Sequence, residues 1–286
     1  MAIASGSVIY GSDYNAIQTQ VTQVLGSGTG APNSTYGYGK TPQSSLVAAG
    51  QLITQAQWNA LAADVNAVYT HQYGTNYPNY SATVSGALSA TNYNLLNNTM
   101  TALVPTRMTV ATNQLTTSTQ TTSTYGGAWG SGNQGIQNTL TVTFASTDAM
   151  KYFFNTGCSL RIQGTGPNQS GSQQDSSWQS ALNNFNYTLA YTQFVALTGT
   201  LAVIQTLNNV ASPYNNSYIQ LFGSVSGATI TFVIRYYDAV PTNFDPTWGG
   251  PDSVSAGAGF ILYRSASVLG STSVPTSSVA GSWSLV

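Results

Sequence analysis

The chain has 286 residues and carries 6 Lys+Arg, 7 Asp+Glu and one His, so charged side chains make up only 5% of it and the net charge is −1. So few cations exclude the basic footprint of a nucleic-acid binder, and a single cysteine excludes an internal disulfide or a cysteine zinc cluster. A hydrophobic fraction of 42% with 18 Tyr is too apolar for a disordered chain, and no apolar run is long enough to read as a membrane span.

The first residues, Met1 to Gly6, lack a positive region and a long apolar core, so they read as no secretory signal. Three segments then align without gaps. Tyr14-Asn15-Ala16-Ile17 continues to Val21 and Val24, Trp58-Asn59-Ala60-Leu61 to Val65 and Val68, and Tyr93-Asn94-Leu95-Leu96 to Met100 and Leu103. Offsets of 0, +3, +7 and +10 put all four apolar residues of each segment on one stripe of an α-helix. Plausible caps are Ser12 or Asp13, then Thr54, then Ser89 or Thr91. Ile9, Ile53 and Leu88 stand five residues before each aromatic, with Gly6, Gly50 and Gly86 upstream. A lone amphipathic helix cannot bury its stripe, so the three must pack on one another or on neighbouring chains. The twelve stripe residues are therefore the candidate docking and oligomerisation surface of a helical module over residues 1–104. Residues 26–39 and 73–80, rich in Gly, Pro, Asn and Tyr, read as ordered loops.

Residues 105–135 are a Thr/Ser/Gly stretch, read as a connector in which Thr116 to Thr122 has the propensity for an edge strand. From Leu140 the period becomes two: Leu140, Val142 and Phe144, then Cys158, Leu160 and Ile162, then Ile230, Phe232, Ile234 and Tyr236. Further strands are expected over 187–198, 218–224, 258–265 and 282–286. Helices are expected over 147–155 and 174–185, the second with Trp178, Leu182 and Phe185 on one face. The fold class that results is α+β: repeated amphipathic helices, then an antiparallel sandwich-like β domain over 136–286 with one or two helices.

The run from Leu140 to Ile162 resembles a segment common in virion proteins of tailed bacteriophages. There a strand leads into a D-A-x-x-x-F-F-N-x-G-G helix and turn, followed by an Arg-containing strand. This chain keeps Asp148, Phe153, Phe154, Asn155 and Gly157, has Cys158 at the second glycine, and places Arg161 in the following strand. The segment from Gly50 to Leu61 is likewise similar to a repeat in structural proteins of phages, marine and cyanobacterial ones above all. The resemblance implies a structural component of the tail, neck or fibre, assembled in the host cytoplasm, whose partners are other virion proteins and copies of itself. Composition agrees. Ser, Thr, Asn and Gln supply 115 residues in place of charges, and tyrosine gives contact area at low entropic cost.

Nothing in the sequence points to an enzyme or a cofactor. His71, just past the second helix, reads as a helix-end residue favourable to the helix dipole. Asp238, Asp245 and Asp252 lie in a turn-rich stretch without the spacing of a known Ca²⁺ loop, and read as turn formers. With no Glu anywhere, a glycosidase carboxylate pair is remote. Cys158 reads as a buried small hydrophobe, and Gly164-Thr165-Gly166 is too short for a phosphate loop. Arg161 and Arg235 are expected to pair with Asp or loop carbonyls. The alternative functions are a carbohydrate-binding adhesion module that recognises a host surface glycan, with Trp129, Tyr214, Tyr218 and Trp248 stacking on sugars, and a capsid decoration protein.

Overall fold

A computed structural model describes residues 8–26, 37–78, 89–125, 135–165, 173–208, 216–239, 256–265, 276–279 and 283–286. The fold is α+β, with three helices first and antiparallel sheets after. The chain divides into two units: Met1–Thr116 with Asp148–Cys158 and Arg264–Val274, and Thr117–Thr147 with Ser159–Tyr263 and Pro275–Val286. These bounds differ from the expected 104 and 135. Residues 105–116 stay with the helices because Arg107 is buried and Ala111 N–H donates to His71 O at 3.0 Å. Further along the expected connector, Thr121–Tyr125 is strand.

In the first unit, α1 (Gly11–Leu25), α2 (Gln55–Tyr73) and α3 (Ala90–Leu103) are the three repeats. They run parallel. The first turns of α1 and α2 meet, with the Tyr14 and Trp58 rings 6.3 Å apart and Tyr14 Oη donating to Gln57 O at 3.1 Å. The ends of α2 and α3 meet where Gln72 Nε2 donates to Leu103 O at 3.0 Å, and Thr101 of α3 reaches Gln20 of α1 at 3.5 Å. Short turns join antiparallel neighbours, so parallel repeats need connections that return along the bundle. Residues 43–47 do this between α1 and α2. Asn15 Nδ2 donates to Val47 O at 3.0 Å while Val47 N–H donates to Asn15 Oδ1 at 2.9 Å. One turn further along α1, Gln18 Nε2 donates to Ser44 O at 3.2 Å. From α2 the buried Asp64 carboxylate accepts Gln43 N–H at 3.0 Å, Ser44 N–H at 2.8 Å and Ser44 Oγ–H at 2.7 Å.

Thr54 caps α2 in a reciprocal pair with Gln57 (3.2 and 2.8 Å), and Ser89 caps α3 by accepting Asn92 N–H at 3.2 Å. The start of α1 differs from expectation. The helix begins at Gly11, so Asp13 is its third residue and its carboxylate reaches back to Tyr10 N–H at 2.8 Å. Later in the chain, α4 (Thr147–Asn155) ends in a turn at Gly157, where φ is +79° and an added Cβ would stand 2.7 Å from Met108 O.

Two antiparallel sheets lie mainly in the second unit. One contains β1 (Leu115–Thr117), β2 (Thr121–Tyr125), β9 (Ala256–Ser265), β4 (Ser159–Thr165) and β5 (Asn186–Leu189), in the order β1-β9-β4-β5 with β2 also on β9. The other contains β10 (Thr276–Val279), β11 (Ser284–Leu285), β3 (Gly135–Thr143), β8 (Thr229–Tyr237), β7 (Tyr218–Ser226) and β6 (Ala202–Asn208), in the order β10-β3-β8-β7-β6 with β11 also on β3. Ile230, Phe232, Ile234 and Tyr236 of β8 are all buried, as the alternation requires. Trp283 stacks on Tyr236 at 5.7 Å and donates from Nε1 to Ser123 Oγ at 3.2 Å, reaching from one sheet to the other. Helix α5 (Gln173–Asn184) lies on β4, and its Trp178 meets Tyr236 edge-on at 6.4 Å.

Two readings of this region need correction. The expected strand 187–198 is β5 followed by the short helix α6 (Tyr191–Ala196), which opens as Phe194 N–H donates to Ala190 O at 2.9 Å. Strand β6 was not expected. It is an edge strand whose register slips between Val203 and Gln205, which erases the alternation that marks a half-buried strand.

Leu61 is fully buried whereas Leu52 is 90% exposed. In urea unfolding, Leu61→Ala is expected to cost about 2–5 kcal/mol and Leu52→Ala less than about 0.5 kcal/mol.

Candidate functional site

The twelve stripe residues lie together, but not as a surface. Tyr14, Ile17, Val21, Val24, Trp58, Leu61, Val65, Val68, Tyr93, Leu96, Met100 and Leu103 are each at most 7% exposed and form one core within the chain. Their role as a docking surface is therefore corrected: three parallel stripes satisfy one another and leave nothing for a neighbour. Two of the apolar groups left open sit on the lead-ins. Val8 is 67% and Leu52 90% exposed, and each stands six residues before the first aromatic of its repeat. Sequence reasoning passed over this position because an apolar residue outside the helical stripe carries no periodic signal.

Where α2 ends, a polar cluster is buried. His71 is fully buried, its Nε2 2.9 Å from Thr156 O and its ring 5.0 Å from that of Tyr38. Tyr38 Oη donates to Arg107 O, Gln72 Nε2 lies 3.4 Å from Tyr38 Oη, and Thr106 Oγ1 donates to Gln72 Oε1 at 2.7 Å. Thr156 Oγ1 also lies 3.1 Å from the buried Cys158 Sγ. Burial pushes the His71 pKa down to about 4, against the opposing pull of the Thr156 carbonyl. His71 is thus neutral near pH 7, with its proton on Nε2 and no hydrogen-bond partner at Nδ1 among the described residues. This corrects the helix-dipole reading, which needs a charged imidazole at a wet helix end.

Asp238 is buried and accepts Ser217 Oγ–H at 2.9 Å, while Asp245 and Asp252 lie outside the described residues. Among the described residues no group of His, Cys, Asp or Glu has the geometry of a metal site. Gly164 is a packing position: a Cβ there would stand 2.8 Å from Leu182 O. Arg161 and Arg235 form no ion pair among the described residues. Arg161 Nη1 reaches Tyr263 Oη at 3.5 Å, and Arg235 Nη2 donates to Gln137 Oε1 at 3.1 Å. Of the expected glycan-stacking residues, Trp129, Tyr214 and Trp248 lie outside the described residues. Tyr218 opens β7 and stacks on Tyr237 at 5.0 Å and 21°. Among the described residues no helix is long and apolar enough to cross a membrane. No protein-family model, curated protein or solved structure matches the chain.

The His71 environment sets a pH dependence. Its folded pKa, about 4, lies below the ordinary 6.5, so the unfolded chain binds the proton more readily. The associated stability is complete above pH 6.5 and declines as the pH falls toward 4, by about 3 kcal/mol in all. Chemical denaturation across this window is expected to show the loss in the wild type, and a flatter profile for His71→Gln.

Proposed function

We propose that the chain is a structural component of a tailed-phage virion, in the tail, neck or fibre, that works by protein–protein assembly and catalyses no reaction. Its partners are other virion proteins and further copies of itself. The observation that carries this reading is the segment shared in pattern with phage virion proteins. It folds as strand β3, helix α4, a turn at Gly157 and strand β4 with Arg161. Its other kept residues have structural work of their own. Phe153, Phe154 and Asn155 are buried, and Asp148 sits in the first turn of α4, where a carboxylate is favoured.

The surface chemistry supports the same reading. Lys151 pairs with Asp148 at 4.0 Å within a single helix, and charged side chains are only 5% of the chain. With so little charge, encounter is not steered electrostatically and recognition falls to shape, apolar contact and neutral hydrogen bonds. That suits parts that meet once and stay together. Val8 and Leu52, repeated at the same position of two lead-ins, are the first residues assigned to such a contact.

Immunogold microscopy of phage particles from lysates that contain the chain is the direct test, with label expected on tail or neck. Label on the head would replace this assignment with capsid decoration, and a chain absent from particles would overturn the reading. Light scattering of the purified chain is expected to give a closed oligomer that Leu52→Asp dissociates.

A further inference from the structure

The outward face of the six-stranded sheet carries side chains that the fold leaves unused. Along β7 and β8 the buried residues Ile219, Leu221, Ile234 and Tyr236 point inward, so their neighbours point out. In register these outward residues form rows. Tyr218 stands opposite Tyr237, and the next row is Gln220, Arg235 and Gln137. The third is Phe222, Val233 and Thr139. Rows lie about 7 Å apart, since alternate residues share a face. All of these side chains are half-buried, and several contact one another. The two tyrosine rings stack, the Arg235 guanidinium sits 5.1 Å over the Phe222 ring, and it donates to Gln137.

Arg235 is the anomaly on this face. No charged residue occurs between Asp175 and Arg235 in the sequence, and no carboxylate lies within ion-pair distance of Arg235 among the described residues. Its Nε also has no hydrogen-bond partner there. A chain with six cations in all has placed one, without a carboxylate partner among the described residues, between a tyrosine pair and a phenylalanine on an otherwise neutral sheet. We propose that this face binds an acidic glycan, a polysaccharide whose sugars carry carboxylates. The tyrosines supply aromatic surface for the C–H face of a sugar ring, Gln220 and Gln137 supply amides for its hydroxyls, and Arg235 receives the carboxylate. The row spacing fits one sugar ring between the tyrosine pair and the arginine. The cation with amides and phenols beside it favours a carboxylate-bearing sugar, and a single arginine is too little for a nucleic-acid backbone. The inference goes beyond the assembly reading and does not depend on it.

Affinity electrophoresis of the full chain through gels containing polygalacturonate, alginate or hyaluronate tests the idea, with dextran and methyl-esterified polygalacturonate as uncharged controls. Retention by at least one acidic polymer is expected, weakening as salt is added, with little by the controls. Arg235→Gln and Tyr237→Ala, each checked for a wild-type melting curve, are expected to weaken that retention about tenfold, the worth of one close charge pair or stacking contact, and Arg235→Lys to restore part of it. Retention by none of the three acidic polymers overturns the proposal. So does equal retention by the uncharged controls, or retention that the folded variants leave unchanged. If the same variants instead lower the mass of an oligomer, the face is a contact between copies and the glycan assignment falls.

Discussion

Three apolar stripes packed against one another in parallel are the interaction from which the helical unit follows. Each fully buried Leu, Ile, Val or Met contributes about 1.5–3 kcal/mol, and the stripes are buried almost without remainder. Parallel order has a cost in chain length, because each helix must be followed by a segment that travels back before the next begins. Those segments cannot cross an apolar core with bare peptide groups. Asn15, Gln18 and Asp64 therefore hold residues 43–47 by their backbone, from the edges of the stripes. Asn15, next to the first aromatic, uses both ends of its amide on Val47.

The same logic runs through the rest of the molecule. A chain with so few charges must satisfy its buried polar atoms with amides, hydroxyls and carbonyls. The cluster of Tyr38, His71, Gln72, Thr106 and Thr156 does this beneath α2, and Ser217 does it for Asp238. Such networks are costly when broken, because a buried group left without a partner bears its full desolvation penalty. His71 shows the margin. It is tolerated because burial keeps it neutral, so acid is the condition to which this region is most exposed.

Periodicity made the cores legible. Helical offsets found all three stripes, and alternation found β8 together with parts of β3 and β4, because in each case one face is buried and the other is not. Elements without that contrast were lost. Edge strand β6 is exposed along much of its length and interrupted by a bulge, and α6 is too short for a helical period to stand out from the strand before it. The site was less legible than the fold. Sequence spacing shows that a residue is buried but not against what, so stripes used internally read equally well as docking surfaces. The outward row of Gln137, Gln220 and Arg235 depends on strand register, which joins residues nearly 100 positions apart.

The three repeats are mutual partners inside one chain. Hydrogen exchange of the full chain, followed over a dilution series in peptides covering Gly11–Leu25, Gln55–Tyr73 and Ala90–Leu103, tests it most directly. Protection in all three helices that persists unchanged down to concentrations where the chain is monomeric is the predicted result. Protection that fades in any of them as the oligomer dissociates would contradict the account, because that stripe would then be buried by a neighbour.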